Sequence, residues 1–264
     1  MGYETILVER REAIGIIKLN RIEKRNALNA QLIDEVVSAL HEFEADPEVN
    51  VIVIMSNHPT VFCAGRDLAE GSSELATNII KQREISSGPP RLFLTLRSLK
   101  KVVIAGVNGY ALAGGTGLAI WCDLTVAAED AIFGFPEISI GLLPSTVIPA
   151  MGYNTASVKK CFELVVTGDR IDAREAERIG LVNQVVPPEK LEEATMELAQ
   201  KIASKSPATL QIGKQTFYNM LTMEYTQAAK YGIEMTSIVA VSDDGMEGQH
   251  AFLEKRQPRW KKLT

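Results

Sequence analysis

Histidine and cysteine are scarce in this chain of 264 residues, which has three of each. The cysteines stand far apart without CxxC spacing, and the histidines are equally scattered, so we expect no metal site. We interpret the cysteines as buried free thiols of a reducing compartment. No apolar run approaches the roughly 18 residues of a membrane span, and the first residues lack the basic and apolar regions of a signal peptide. We therefore expect no membrane partner and a cytoplasmic location.

Positive charge is also in deficit, because 28 Lys and Arg residues face 33 Asp and Glu residues, for a formal net charge of −5. A general nucleic-acid binder needs a basic face, so we do not expect nucleic acid as a partner. The remaining composition, 46% hydrophobic and 23% charged, is ordinary for a globular protein. A chain of this length can bury most of the surface that it exposes when unfolded.

Strand and helix patterns alternate along the first half of the chain, which predicts an α/β fold with helices crossing over a sheet. Asn29 is a candidate helix cap, and Val51–Met55 is a continuous apolar run typical of a strand buried on both faces. The other predicted elements are a hairpin of Thr5–Val8 and Ile14–Leu19 around Glu9–Glu12, a helix over Ala30–Glu44, strands over Val102–Val107 and Asp123–Ala127, and a buried helix over Ala113–Ile120.

From about Ala173 the pattern becomes mainly helical. The predicted elements are a short helix over Ala173–Ile179, a strand over Leu181–Val186, a helix after Pro187-Pro188, and helices over Thr209–Leu221, Thr226–Val239 and Asp244–Lys255. The sheet alone cannot cover the apolar faces of so many helices, so we expect this part to pack against another subunit.

Two loops rich in small residues follow buried strands. They are Phe62–Leu68 and Asn108–Gly117. Small residues let the backbone approach a ligand, and a helix N-terminus favours negative charge, so one N–H group from each loop could hold an oxyanion. The composition equally allows glycines that serve only tight turns and helix packing. The sequence contains no GxGxxG, GxxxxGK[ST] or GxSxG motif.

Glu137 is a lone carboxylate among apolar and aromatic neighbours. Burial would raise its pKa, which suits a group that both accepts and donates a proton. Taken alone, the local sequence favours a solvated glutamate at a loop edge.

Taken together, seven segments in this order resemble the crotonase (enoyl-CoA hydratase/isomerase) family over nearly the whole chain. They are Arg25–Asn29, Val61–Leu68, Val107–Gly115, Phe135–Leu142, Thr167–Asp169, Ala173–Val182 and Glu247–Arg256. The resemblance implies an α/β, crotonase-like spiral of repeated ββα units. It implies a core over residues 1–200 with the CoA and catalytic sites, and a helical region over residues 201–264 that builds homotrimers, often paired as hexamers, and contacts CoA.

The resemblance also implies roles for particular residues. The backbone N–H groups of Arg66 and Gly114 match the family's oxyanion-hole donors, and Glu137 matches one of its two glutamates. The positions that match CoA-binding residues are Arg25, Asn26, Ala27, Leu28, Ala64, Asp67, Leu68, Phe252 and Lys255. Phe252 and Lys255 match positions that reach the nucleotide, in some relatives from a neighbouring subunit. Coenzyme A is part of the substrate, so no separate cofactor is expected.

The chain departs from the hydratase pattern at Gly117, which stands where the second glutamate would be, and a third position used by some relatives falls at Ser145. Two carboxylates share hydration most comfortably, whereas one suffices for Δ3,Δ2-enoyl isomerisation. The stretch Gly141–Pro149 resembles bacterial methylglutaconyl-CoA hydratases, so our first interpretation is hydration of a 2-enoyl-CoA. The alternatives are isomerisation, decarboxylation or carbon–carbon bond formation through the same enolate and, in another class, acyl-CoA binding without turnover. Lys81, Arg83 and Arg91 are candidates for a substrate carboxylate, although solvated surface charge is the favoured interpretation.

Overall fold

The computed structural model describes residues 2–69, 80, 83, 87–154 and 157–261. Its strands are β1 (Ile6–Arg11), β2 (Ile14–Leu19), β3 (Val51–Ser56), β4 (Val61–Cys63), β5 (Val102–Val107), β6 (Tyr110–Leu112), β7 (Leu124–Ala128), β8 (Ile132–Gly134), β9 (Arg170–Asp172) and β10 (Gln184–Val186). Its α-helices are α1 (Ala30–Ala45), α2 (Gly88–Ser98), α3 (Gly114–Trp121), α4 (Ile148–Asn154), α5 (Val158–Thr167), α6 (Ala173–Arg178), α7 (Leu191–Ala203), α8 (Pro207–Met220), α9 (Tyr225–Ala240) and α10 (Asp243–Leu253). Short 3-10 helices cover Ile22–Lys24, Pro136–Ile140 and Pro188–Lys190.

The strands form two sheets that the chain visits alternately. The first sheet has the order β1-β2-β3-β5-β7-β10, and the second has the order β4-β6-β8-β9. After the β1–β2 hairpin the first sheet is parallel, and β4, β6 and β8 are parallel in the second. The strands β3, β5 and β7 of the first sheet are each followed by a short strand of the second, as in β5, β6 and then α3. This is the expected α/β spiral of ββα units.

The first sheet is buried on both faces, as the apolar run of β3 predicted. Ile52 and Ile54 belong to a core shared with α1, whereas Val51 and Val53 belong to a second core completed by α7. Each such side chain contributes about 1.5–3 kcal/mol when fully buried. The Asn29 side chain accepts a hydrogen bond from the Leu32 N–H at 3.0 Å, which confirms the predicted cap of α1.

Two predicted boundaries were wrong. The strand β1 runs from Ile6 to Arg11, so the hairpin turn is shorter than Glu9–Glu12. The strand β10 begins only at Gln184, because the N–H groups of Leu181 and Val182 are bonded to the Ala176 carbonyl at the end of α6. Gly88-Pro89-Pro90 begins α2, since prolines are tolerated in the first helical turn.

The C-terminal helices α8 to α10 form the expected helical region. A buried ion pair between Lys214 Nζ and Asp123 Oδ2, 2.7 Å apart, fixes α8 to the core. The region exposes large apolar side chains, among them Phe217, Tyr225, Ile233 and Val241. Its packing against another subunit stays a prediction, as does the division at residue 200, which falls inside α7. In the described residues, no helix is long and apolar enough to cross a membrane.

Candidate active site

Three parallel strands of the second sheet end at the same edge. Ala64-Gly65-Arg66 follows β4, Ala113-Gly114 follows β6, and Phe135-Pro136-Glu137 follows β8. Neighbouring strands lie about 4.8 Å apart, so the first and last of these segments begin within roughly 10 Å of each other. The sheet order therefore gathers both glycine loops and Glu137 at one site.

The backbone N–H of Arg66 points away from Leu28, the residue that pairs with it. Arg66 forms an isolated parallel bridge with Leu28, in which Leu28 N–H donates to the Gly65 carbonyl at 2.7 Å and Asp67 N–H donates to the Leu28 carbonyl at 3.0 Å. In a parallel bridge of this pattern the N–H of the central residue points to the opposite side. The Arg66 N–H has no acceptor among the described residues.

The loops that carry Arg66 and Gly114 are in direct contact. Gly65 has a φ of +92°, and a methyl group there would lie 2.6 Å from Ala113 Cβ and 3.1 Å from the Gly114 nitrogen. Only glycine allows this approach. Ala113 itself has a φ of +55° and is held there by a 2.8 Å hydrogen bond from its N–H to the Gly134 carbonyl. A positive φ is unfavourable for alanine, and here it determines the direction in which the chain enters α3 at Gly114.

Gly114 is the first residue of α3, so its N–H has no acceptor within the helix. The positive end of the helix dipole reinforces the attraction for an anion at this point. Arg66 and Gly114 thus present two free backbone donors from touching loops, an arrangement that suits a developing negative charge on an oxygen.

Glu137 lies in the 3-10 helix Pro136–Ile140, which packs against α5. Its Oε2 atom is buried and finds no hydrogen-bond partner among the described residues. Burial raises the pKa of Glu137, and a hydrogen bond from its own backbone N–H offsets this only in part. The side chain is therefore a buried carboxyl group and not the solvated glutamate that the local sequence alone favoured.

The wall at Gly117, one turn into α3, is apolar. A methyl group on Gly117 would lie 2.9 Å from Phe93 Cζ and 2.9 Å from Val147 Cγ2. Both side chains are buried, and the Phe93 ring stacks on Trp121 with centroids 5.8 Å apart. Phe93 and Val147 thus occupy the space toward which a longer side chain at Gly117 would point. Ser145, the third candidate position, is exposed.

The residues of the predicted CoA loop Arg25–Leu28 differ in whether their side chains can reach a ligand. Arg25 is exposed, whereas Asn26 and Leu28 are buried. The Asn26 amide donates to Ser56 Oγ at 2.8 Å and to the Phe62 carbonyl at 3.0 Å, which joins this loop to β3 and β4. The side chains of Asn26 and Leu28 are therefore engaged inside the protein, and Ala27 is half-buried between them.

Asp67 is tied to Arg21, a residue that the sequence did not single out. Arg21 Nη1 lies 2.6 Å from Asp67 Oδ2 and 3.0 Å from the Ala27 carbonyl. Burial alone would raise the pKa of Asp67, but hydrogen bonds from Arg21 and from Ala69 N–H outweigh it and lower the pKa. Arg21 thereby fixes both predicted CoA loops, and Leu68 beside them is exposed.

The remaining predicted residues lie elsewhere in the chain or outside its described part. Phe252 borders a groove of about 1010 Å³ between the core and the C-terminal helices, and Lys255 follows it on the surface. Arg91 pairs with Asp34 at the surface, as the favoured interpretation had it. Lys81 lies outside the described residues. Among those that are described, no group of three His, Cys, Asp or Glu side chains could hold a metal ion.

The sequence as a whole matches the family model described as "Enoyl-CoA hydratase/isomerase" over residues 9–263. The chain belongs to the enoyl-CoA hydratase/isomerase family. It is 36% identical over 260 residues to a probable enoyl-CoA hydratase of Mycobacterium leprae, covering 98% of this chain and 99% of the relative. It is 35% identical to the 2,3-dehydroadipyl-CoA hydratase of Escherichia coli, covering 97% of this chain and 98% of that one.

The fold of this family member agrees with its solved relatives. The crystal structure of an enoyl-CoA hydratase from Mycobacterium smegmatis superposes with a TM-score of 0.92 at 32% identity, covering 97% of this chain and 99% of that one. The expected crotonase fold is thereby confirmed. Because family members are enzymes of acyl-CoA metabolism, the acyl-CoA substrate class is consistent with the site's geometry.

Proposed function

We propose that this protein generates the enolate of an acyl-CoA thioester and that its reaction is hydration of a 2-enoyl-CoA. The carrying observation is a buried Glu137 at the same sheet edge as the two free N–H donors of Arg66 and Gly114. These donors hold the thioester oxygen, where charge develops as a nucleophile adds to the β-carbon. The names of the two curated relatives support hydration.

In hydration, the hydroxyl group of a water molecule bonds to the β-carbon and a proton bonds to the α-carbon. Glu137 carries the proton, accepting it from the water and delivering it to the α-carbon of the enolate. Burial raises the pKa of Glu137 toward neutral pH, which makes its carboxylate a stronger base toward the water molecule. A group whose pKa lies nearer the operating pH is the better suited to accept a proton and then to deliver it. All atoms of the water end in the product.

Isomerisation is the second candidate, and the wall at Gly117 favours it. Among the described residues, the side chains nearest to Gly117 are those of Phe93 and Val147, and neither can activate a water molecule. With a 3-enoyl-CoA, Glu137 would remove an α-proton to form a dienolate and return the proton to the γ-carbon. This needs only one carboxylate, and the oxyanion donors serve it equally well.

Binding of the CoA portion completes the proposal. The loop Arg25–Leu28 and Ala64 form the part of the site that receives CoA, and the exposed side chain of Arg25 adds positive charge there. The C-terminal Phe252 and Lys255 reach the nucleotide from a neighbouring subunit of a homotrimer or hexamer. The exposed apolar side chains of the C-terminal helices support such an assembly.

The test is mass spectrometry of 2-enoyl, 3-enoyl and 3-methylglutaconyl thioesters of CoA incubated with the protein in heavy water. Hydration predicts a product that has gained one water. A product of unchanged formula with deuterium at the α- or γ-carbon would establish isomerisation instead. If no thioester changes although each binds, the protein is an acyl-CoA-binding module and the proposed activity is wrong.

A further inference from the structure

We propose that Arg97 binds a carboxylate at the far end of the acyl chain, so that the substrate is an enoyl-CoA whose chain ends in a carboxyl group. This inference rests on the proposed acyl-CoA chemistry and names the class of its substrate. Arg97 lines a cavity of about 530 Å³ between α2, the end of α3 and α8. Small-molecule sites typically measure roughly 300–1,000 Å³. Arg97 was not predicted from the sequence to bind a ligand.

The cavity continues the apolar wall of the candidate active site. Phe93 and Arg97 are one helical turn apart on α2, and Gly117 and Trp121 are one turn apart on α3. A methyl group on Gly117 would meet Phe93, and the Arg97 guanidinium carbon lies 5.5 Å from the centroid of the Trp121 ring. The Phe93 and Trp121 rings are stacked on each other. The two helices thus extend the wall from Gly117 to Arg97.

The separation of Arg97 from the oxyanion donors sets the length of acyl chain that can reach it. Gly114 and Trp121 are the first and last residues of α3, so they are about 10 Å apart along the helix axis. A carbon–carbon bond is about 1.5 Å long and a zigzag chain advances less than this per bond, so about eight carbon atoms cover the distance. A chain of this length brings its end to the guanidinium of Arg97, whereas a short acyl group ends on the apolar wall.

Arg97 is held by aromatic rings and not by a carboxylate. Its guanidinium carbon lies 3.6 Å from the centroid of the Tyr218 ring on α8, and such faces attract cations. Its Nη1 atom is buried and finds no hydrogen-bond partner among the described residues. The Tyr218 hydroxyl donates to Asp123 Oδ1 at 2.8 Å, and Asp123 forms its ion pair with Lys214. The charge of Arg97 is therefore not paired within the described part of the subunit.

The composition of the cavity favours an anionic group at the end of an apolar chain. Among the described residues, its lining contains no Asp or Glu, and Leu94 and Leu221 offer apolar surface to methylene groups. Burying a cation without a partner is unfavourable, and a bound carboxylate removes that penalty. A guanidinium also matches the two oxygens of a carboxylate in a bidentate arrangement. A chain that ends in a methyl group would leave Arg97 unpaired, so the cavity discriminates against it.

The experiment compares enoyl-CoA substrates of equal length that end either in a carboxylate or in a methyl group. With the wild-type protein and chains of about eight carbons, kcat/KM should favour the carboxylate about thirtyfold, within the range for hydrogen bonds to charged groups. The preference should be weaker for chains of about five carbons, which are too short to reach Arg97. This comparison requires no variant, so it does not depend on the folding of one.

Arg97→Gln should lower kcat/KM for the carboxylate-terminated substrate about thirtyfold and leave the value for the methyl-terminated one unchanged. Arg97→Lys should recover part of the preference. Arg174→Gln is the matched control, because it removes the same charge from the surface of α6, where Arg174 pairs with Glu129. This control should keep the wild-type preference.

Equal kcat/KM values for the two wild-type reactions would overturn the assignment of Arg97. Equal losses for both substrates in Arg97→Gln would also overturn it, and dissociation of that variant in sedimentation would identify Arg97 as a contact between subunits. If the wild-type protein neither converts any thioester nor exchanges its α-protons, the proposed function itself is refuted.

Discussion

The two walls of the candidate site differ in chemistry although both follow strands of the same sheet. On one wall Glu137 presents a buried carboxyl oxygen that has no hydrogen-bond partner in the described part of the chain. On the other, Gly117 is covered by the packed side chains of Phe93 and Val147. If glycine simply replaced a glutamate at position 117, a cavity would remain where the side chain had been. Here Phe93 and Val147 fill that space. This difference supports the proposal that the proton transfers of this family member depend on one carboxyl group.

Replacing Glu137, which forms the polar wall, should have the largest effect on kcat. Glu137→Gln keeps the shape of the side chain and removes the proton carrier, so kcat should fall by about a thousandfold while acyl-CoA binding is retained. Steady-state kinetics and calorimetry would check the two halves of this prediction. Glu129→Gln, a surface change of the same kind, is the control, and equal losses in both variants would contradict the role of Glu137.

Displacing the two loops that carry the oxyanion donors should reduce kcat less than the loss of Glu137 does. In Gly65→Ala the new methyl group meets Ala113 and the Gly114 nitrogen, so the donors are displaced, and kcat should fall by about a hundredfold. Gly141→Ala is the matched control, because Gly141 also has a positive φ, +73°, but open space around it. Single-turnover rates on folded protein would measure the difference. A Gly65→Ala variant as fast as the control would break the assignment of the donors.

A larger side chain at Gly117, on the apolar wall, should lower the stability of the fold more than it lowers the rate of the reaction. Gly117→Ala places a methyl group against Phe93 and Val147, and overpacking of this kind costs about 1–3 kcal/mol of unfolding free energy. Gly213→Ala, also within a helix but with open space, isolates the gain in helix propensity. Urea unfolding should show Gly117→Ala to be the less stable of the two, and adding Phe93→Leu should restore stability. Equal stability would mean that the wall has room for a side chain.

The smallest expected effect concerns pH. Burial raises the pKa of Glu137 in the folded state, so the folded protein holds this proton more tightly than the unfolded chain. The resulting contribution to stability is complete below the unfolded pKa of about 4.3 and is lost as pH rises through the folded value. Glu137→Gln lacks this loss, so its Tm relative to the wild type should increase from pH 4 to pH 7. A constant difference in Tm would show that the carboxyl is not desolvated.

The sequence predicted the long elements because their patterns extend over many residues, as in Val51–Met55 and the helix capped by Asn29. It did not predict β4, β6 and β8, since three residues are too few for a strand pattern. It also singled out Glu137 and both glycine loops as candidates, first from their local composition and then through the family resemblance, and their catalytic roles stay predictions. The covering of Gly117 by Phe93 was not predictable, because residues 24 positions apart meet only through the packing of α2 on α3. The Arg21–Asp67 ion pair escaped for the same reason.

The most direct test of the central claim is exchange of the α-protons of a saturated acyl-CoA with heavy water, followed by NMR or mass spectrometry. Exchange requires the enolate and a proton carrier but neither hydration nor a double bond. With the wild-type protein, deuterium should enter the α-carbon far faster than in buffer, and with Glu137→Gln the rate should fall nearly to that of buffer. Exchange by Glu137→Gln at the wild-type rate would contradict the assignment of the single carboxyl as the proton carrier.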